Sequence, residues 1–421
     1  MRIVGGTPLR GSVAIGGSKN ATLAIMAGAI LAEGPVILHN IPRIGDIETM
    51  VDLLNGLGAA TCFTGPETVR IDARNVHCLE APYELVRKMR ASFCVLGPLL
   101  ARFGFARVPV PGGCDIGARP VNFHIDGMRQ LGAEIHVEHG VYTAAAPKLK
   151  GASIYLDFQS AGATQHLMTA ACLAEGETVI ENCATEPEIV DTADFLRHLG
   201  AQVDGAGTTT ITVHGVERLS GGEYTVIPDR MEAGTYAVAA AITGGDVHIE
   251  RAISDHLRPF TRKLREAGVE VEEASDGVHV RSEGRPRAVN IKTMPHPGFP
   301  TDMQQPFAAL LSIADGTSVI TETVYESRFR YANELNRMGA DVRVEGRTAV
   351  IHGVARLTGA PVTATDLRAG AALICAGMAA EGETEVSGVE HIDRGYADVV
   401  PKLSALGATI QRCQVEEAVR R

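Results

Sequence analysis

Cys114 and Arg119 stand five residues apart in the stretch Pro109-Val-Pro-Gly-Gly-Cys-Asp-Ile-Gly-Ala-Arg-Pro-Val-Asn-Phe-His-Ile125. A nearby guanidinium favours the thiolate, which is the reactive form of cysteine. The glycines and prolines exclude a helix interior or a central strand, so a loop is predicted. Composition alone is equally met by a plain connector carrying an incidental cysteine. A second set of charged residues is Lys19, Arg90, Arg230 and Arg368, each at the head of an Ala-rich apolar run. A cation at the positive end of a helix is locally unfavourable. Each could be a solvated surface side chain; four at equivalent positions suggest a cluster built for a polyanion. Asp302, Asp229, Asp366 and Ser160 occupy matching heads and could each be an ordinary N-cap. Ser160-Ala-Gly-Ala-Thr164 would let a phosphate reach backbone amides, or would merely permit close helix packing. Gly16-Gly-Ser-Lys-Asn20 lacks the spacing of a Walker A loop. Arg394, in Arg-Gly-Tyr396, reads as a residue of a tight turn between strand and helix.

The elements that would hold these groups repeat six times. Leu-Gly-Ala or a close variant recurs with its glycine at 58, 132, 200, 268, 339 and 407, at spacings of 74, 68, 68, 71 and 68. Each glycine follows an amphipathic run and precedes a β-branched stretch, which is a C-capped helix followed by a strand. A second glycine series at 34, 104, 176, 244, 316 and 382 closes the apolar runs, and the polar heads lie fourteen residues before each. The unit is therefore about 70 residues of apolar helix, strand, amphipathic helix and strands. Only 14 residues follow Gly407, and the 20 residues up to Asn20 supply the remainder of that repeat. Two α/β domains of three repeats follow: 20–229, and 1–19 joined to 230–421. The two glycine series lie 24, 28, 24, 24, 23 and 25 residues apart, so only the second repeat is long. Its excess contains the Cys114 loop, and loops inserted on a rigid scaffold often carry function.

A net charge of -11 argues against a general nucleic-acid or anionic-membrane binder. The eight cysteines form no CxxC pair, and no HExxH is present, so no metal site is suggested. The opening Met1-Arg-Ile-Val-Gly-Gly6 has no apolar signal core, and the run 21–32 is too short to span a bilayer. A cytoplasmic location with reduced thiols is expected.

Over essentially its whole length the sequence resembles the UDP-N-acetylglucosamine 1-carboxyvinyltransferase family of the EPSP synthase superfamily. The resemblance rests on Gly16-Gly-Ser-Lys-Asn-Ala21, Met89-Arg-Ala-Ser92, Pro111-Gly-Gly-Cys-x-Ile-Gly-Ala-Arg-Pro-Val121 and Glu186-Pro-Glu-Ile-Val-Asp-Thr192. Phe299-Pro-Thr-Asp-Met-Gln304, Ala364-Thr-Asp-Leu-Arg-Ala369 and His391-Ile-Asp-Arg-Gly-Tyr396 extend it. It implies two inside-out α/β barrel (prism) domains with the active site in the cleft between them. It implies transfer of the enolpyruvyl group of phosphoenolpyruvate to UDP-N-acetylglucosamine, the step that opens peptidoglycan precursor synthesis, without a metal or other cofactor. Lys19, Arg119 and Arg394 would hold the phosphate of phosphoenolpyruvate, and Arg90 and Arg368 would hold its carboxylate side or steady the closed cleft. Cys114 would act as general acid at the methylene carbon or in product release, and would be the residue that fosfomycin alkylates. Asp302 would be the base at the sugar 3′-hydroxyl, with Asn20 on the sugar hydroxyls. Arg90, Arg119, Pro120, Val121, Asn122, Phe123 and Val324 would contact UDP-N-acetylglucosamine, and Ser160 and Gly162 its diphosphate. Asn122-Phe123 replaces the family's usual Asp-Leu, and Asp115 stands where a small or hydroxylated residue is usual. Two alternatives remain open: a sugar-nucleotide-binding relative without turnover, and an enzyme acting on 3-phosphoshikimate. The second sits poorly with the Pro-Gly-Gly-Cys loop.

Overall fold

The structure, a computed structural model, describes residues 1–112 and 121–413. The six apolar runs form the helices Lys19–Gly28, Leu96–Phe103, Ala161–Ala171, Arg230–Ile242, Gln304–Leu311 and Leu367–Ala379. Alanine, leucine and methionine are strong helix formers and dominate these segments. Being apolar around most of their circumference, the helices need cover on every side. In Arg230–Ile242 every residue is buried, the arginine included. Arg90 and Asp302 depart from the simple pattern. Each lies in a 3₁₀ segment, Arg90–Val95 and Thr301–Met303, ahead of the α-helix proper.

The amphipathic runs form the second helix of each repeat, and the glycines closing them all take left-handed backbone, with φ between +88° and +107°. That region strains any residue carrying a Cβ, so the Leu-Gly-Ala signature is a conformational requirement. In the other series Gly34 lacks a positive φ, whereas Gly104, Gly176, Gly244, Gly316 and Gly382 have one.

The cover comes from six sheets built on one template. In the first, the order is Gly222–Thr225, Val36–His39, Thr68–Asp72, Ala60–Gly65. The outermost strand runs parallel to the strand after the apolar helix, and the other pairings are antiparallel. Inward residues are mostly apolar and outward ones mostly polar, as in Thr210–His214, where Ile211 and Val213 are buried between exposed Thr210 and His214. Among the described residues, the sheet of the long second repeat has three strands, Phe105–Pro109, Val141–Ala145 and Glu134–Glu138. A single bridge between Glu80 and Arg107 stands where the others have a parallel strand.

Two compact units result. Residues 16–112 and 121–227 form the first; 1–15 and 228–413 form the second. The division falls a few residues before 20 and 229, and just inside it the Ser18 N–H donates to the Ile227 carbonyl at 2.7 Å. Lys19 therefore belongs to the first unit. That unit closes on itself through Gly222–Thr225 beside Val36–His39. The second is closed by residues from the start of the chain. Arg2–Val4 lies between Glu383–Ser387 and Thr409–Gln411, antiparallel to both, and Arg10–Ala14 runs parallel to Asp246–Glu250. Within the second unit the three apolar helices pack on one another. No helix among the described residues is long and apolar enough to cross a membrane.

In the first unit, helices Leu96–Phe103 and Ala161–Ala171 meet at Gly97 and His166. A Cβ on Gly97 would stand 2.7 Å from the His166 ring, so this approach requires glycine. The Gly97 N–H donates to His166 Nε2 at 2.7 Å, and His166 Nδ1 lies 2.9 Å from His124 Nδ1. The neutral His166 ring must then carry its proton on Nδ1 and donate to His124. Burial lowers the His166 pKa from 6.5 to about 3.

Two outcomes follow for stability. Ile3 is fully buried and Val4 is 42% exposed on the same strand. Ile3→Ala will lower stability by about 2–5 kcal/mol and Val4→Ala by under about 0.5, read from denaturant midpoints. For His166, the folded pKa is depressed, so its contribution is complete above pH 6.5 and is lost as pH falls toward about 3. Relative to His166→Asn, the parent chain will lose about 2–3 kcal/mol more between pH 6.5 and 4.5.

Candidate active site

Cys114, Arg119 and Pro120 lie outside the described residues. The other candidates divide between the units. Lys19, Asn20, Arg90, Val121, Asn122, Phe123, Ser160 and Gly162 belong to the first; Asp302, Val324, Arg368 and Arg394 belong to the second.

In the first unit Ser18 caps the helix Lys19–Gly28, accepting from Ala21 N at 3.4 Å. The misfit of a cation at that helix start is answered by Asp46, whose carboxylate lies 2.7 Å from Lys19 Nζ. Asp46 sits in the first turn of Gly45–Gly56, where the helix dipole favours a negative charge. The pair is largely enclosed, with side chains 12% and 5% exposed. Asn20 is exposed on the next position and Arg90 is half-buried. Beside Arg90 is Cys94, a half-buried thiol that burial pushes up to about 11 although Arg90 pulls it down. A neighbouring arginine is thus not sufficient to make a reactive cysteine. Val121 is buried just before the helix Asn122–Gln130, which opens with exposed Asn122 and half-buried Phe123. Ser160 is an ordinary cap, accepting from Ala163 N at 3.3 Å. Packing does not explain Gly162. An added Cβ there would only touch the His124 ring at 3.5 Å, an ordinary contact. A bare backbone at this helix start therefore suits approach of an anion from outside.

In the second unit Asp229 and Asp366 are true caps. Asp229 accepts from Met231 N and Glu232 N, and Asp366 from Arg368 N and Ala369 N. Asp302 is not a cap. Its Oδ1 lies 2.6 Å from Arg328 Nη2, and its Oδ2 lies 3.2 Å from Arg368 Nε. Both guanidiniums are almost wholly buried, at 3% and 4%, while Asp302 keeps 24% of its side chain exposed. The carboxylate is thus the outward-facing member of a three-residue ionic group. Arg368 also donates to Tyr396 Oη at 3.0 Å, and that hydroxyl lies 2.8 Å from Thr235 Oγ1. Burial works against the Arg368 charge, yet Tyr396, Asp302 and Asp229 hold its pKa above the ordinary arginine value. Val324 is half-buried, and its N–H donates to Glu322 at 2.7 Å. Arg394 does not sit in a simple strand-to-helix turn. Left-handed Gly388 starts a short helix, Val389–Asp393, and Arg394 is its C-cap.

Sequence reading missed Asp46, Arg328 and Tyr396 as partners of these residues. Asp46 and Arg328 fall on no repeat head, and Tyr396 sits inside a recognised motif without any sign of its partner. Among the described residues no group of three or more His, Cys, Asp or Glu side chains is gathered as metal ligands would be.

The EPSP synthase (3-phosphoshikimate 1-carboxyvinyltransferase) family matches residues 3–403. UDP-N-acetylglucosamine 1-carboxyvinyltransferase 3 of Caldanaerobacter subterraneus subsp. tengcongensis is 54% identical over 410 residues, covering 97% of this chain and 98% of that protein. The UDP-N-acetylglucosamine 1-carboxyvinyltransferase of Trichormus variabilis is 50% identical over 423 residues, covering 99% and 94%. Among solved structures, the enolpyruvyl transferase NikO of Streptomyces tendae superposes with a TM-score of 0.88 at 28% identity, over 97% of each chain. EPSP synthase of Acinetobacter baumannii shares the fold, with a TM-score of 0.73 at 21% identity over 96% and 97%. By these matches the chain belongs to the EPSP synthase family, on the branch of the UDP-N-acetylglucosamine 1-carboxyvinyltransferases.

Proposed function

We propose that this chain transfers the enolpyruvyl group of phosphoenolpyruvate to the 3′-hydroxyl of UDP-N-acetylglucosamine, releasing phosphate. The observation that carries the reading is 54% identity, over 97% of the chain, to an enzyme of that name. The reaction needs an acid and a base. Protonation of phosphoenolpyruvate C3, by Cys114 in this reading, builds positive charge at C2. The sugar oxygen attacks C2 as Asp302 takes the hydroxyl proton. The tetrahedral adduct then loses a proton from C3 while its C2–O bond to phosphate breaks. Enol ether and phosphate are the products.

The remaining residues bind. Lys19, Arg119 and Arg394 hold the phosphate, and Arg90 and Arg368 the carboxylate side; arginine suits both because its fork pairs bidentately with oxyanions. Asn20 takes the sugar hydroxyls. Pro120, Val121, Asn122 and Phe123 with Arg119 line the uridine pocket, Ser160 and Gly162 meet the diphosphate, and Val324 borders the sugar nucleotide. The outward exposure of Asp302 supports its role, since a base must reach its substrate. In this reading the product is a cytoplasmic peptidoglycan precursor. Fosfomycin adds to Cys114 as the S–C bond forms and the epoxide C–O bond opens.

Phosphate release from phosphoenolpyruvate is expected with UDP-N-acetylglucosamine and not with 3-phosphoshikimate. Binding of the sugar nucleotide without release would instead indicate a non-catalytic relative. Asp302→Asn will lower kcat by about 10²–10⁴-fold, the range expected for loss of a general base. Cys114→Asp will retain turnover, since a carboxylic acid still donates a proton, and will escape fosfomycin. Intact-mass measurement after fosfomycin treatment will find one adduct on the parent chain and none on that variant.

A further inference from the structure

Glu322 is fully buried, immediately after the strand Thr317–Thr321 of the second unit. Five donors converge on its carboxylate. Thr293 Oγ1 reaches Oε1 at 2.8 Å, and the backbone N–H groups of Val324 and Tyr325 reach the same oxygen at 2.7 and 3.1 Å. Thr301 Oγ1 donates to Oε2 at 2.8 Å, with Gln304 Nε2 at 3.4 Å. None of the five is a lysine or an arginine. A carboxylate removed from water is very costly unless its oxygens are fully hydrogen-bonded, and these are.

One of those donors leads to Asp302. The Thr301 hydroxyl has a single proton, and an ionised carboxylate only accepts, so that proton points at Glu322. The Thr301 lone pairs are then presented to Arg328 Nη1, 3.1 Å away. Arg328 Nη2 in turn holds Asp302 Oδ1 at 2.6 Å. Donors therefore run outward from Arg328, to Asp302 on one side and through Thr301 to Glu322 on the other. The Gln305 amide completes the frame: its oxygen accepts from Arg328 Nε at 2.9 Å, and its nitrogen donates to the Thr301 carbonyl at 3.2 Å.

We propose that Glu322 is a positioning residue for the base: by fixing the Thr301 hydroxyl it sets Arg328, and through Arg328 the direction of Asp302. The same carboxylate folds the turn at Val324 and Tyr325, so one buried group aligns the base and the adjoining turn together. The inference rests on Asp302 being the base. Glutamine cannot substitute. Placed at Oε2, its NH₂ meets the Thr301 hydroxyl and turns that proton toward Arg328; placed at Oε1, it meets two backbone N–H groups.

The test uses the full chain with Glu322→Gln, Thr301→Val and Thr301→Ser, assayed for phosphate release with both substrates from pH 5.5 to 9. Losing one hydrogen bond to a charged group predicts that Glu322→Gln and Thr301→Val each lower kcat about 10–100-fold. The KM for phosphoenolpyruvate should change little. The acid limb of the kcat profile should move to higher pH, because Asp302 faces Arg328 and Arg368 and a carboxylate losing one cation protonates more readily. Thr301→Ser, which keeps the hydroxyl, should restore most of the rate. Parental kcat and an unmoved acid limb in Thr301→Val would overturn the proposal, and so would a serine variant no better than valine. If Glu322→Gln does not fold, the Thr301 pair decides. A parent chain that releases no phosphate defeats the assignment of Asp302 and this inference with it; an active parent with indifferent variants defeats only the inference.

Discussion

Six helices in this chain are apolar on nearly every side, and the rest of the fold answers that one demand. Such a helix cannot lie on a surface, because no face of it tolerates water. It has to be wrapped, and the twisted sheets with one apolar face do the wrapping. What stays polar is the point where each helix begins. Lys19, Arg90, Ser160, Arg230, Asp302 and Arg368 are all found there or within one turn. Polar and charged side chains collect at helix starts because burial leaves few other positions on these helices to carry them.

Those starts are not equivalent once charge is counted. Lys19 is answered by Asp46 from a different helix, and Arg368 by Asp302 and Tyr396. Ion pairs this enclosed are poor sources of stability, since desolvation offsets most of the Coulomb gain. Their value is directional. A carboxylate held between two guanidiniums has few orientations left, which is the restriction the proposed base would need.

The repeat was legible because it depends on backbone rules that the sequence states openly. A helix ending in left-handed backbone demands glycine, so Gly58 to Gly407 mark six equivalent places without reference to anything distant in the chain. The candidate site residues could be named from sequence where they lay in a repeat head or a recognised motif. Asp302 was ambiguous, because an aspartate before an apolar helix is an N-cap by default; only the distances to Arg328 and Arg368 separate it from Asp229 and Asp366. Arg328 and Glu322 were invisible. They occupy no repeated position, and what makes them matter is side-chain packing between segments twenty or more residues apart. Gly162 lay between these cases. Its small neighbours suggested packing, and a side-chain carbon there would make only an ordinary contact with the His124 ring, which does not require glycine.

The strand Arg2–Val4 has a consequence in time. Its two neighbours are Glu383–Ser387 and Thr409–Gln411, so Arg2 pairs with Gln411. On a ribosome adding about 5–20 residues per second, the first strand waits roughly 20–80 s for that partner. Residues 16–227 need no such wait, since every strand of their sheets is made before residue 228. The unit closed by early residues is therefore completed last, and nascent chains carry an unpaired β-edge until synthesis is nearly over. That is the interval in which a chaperone would find something to hold.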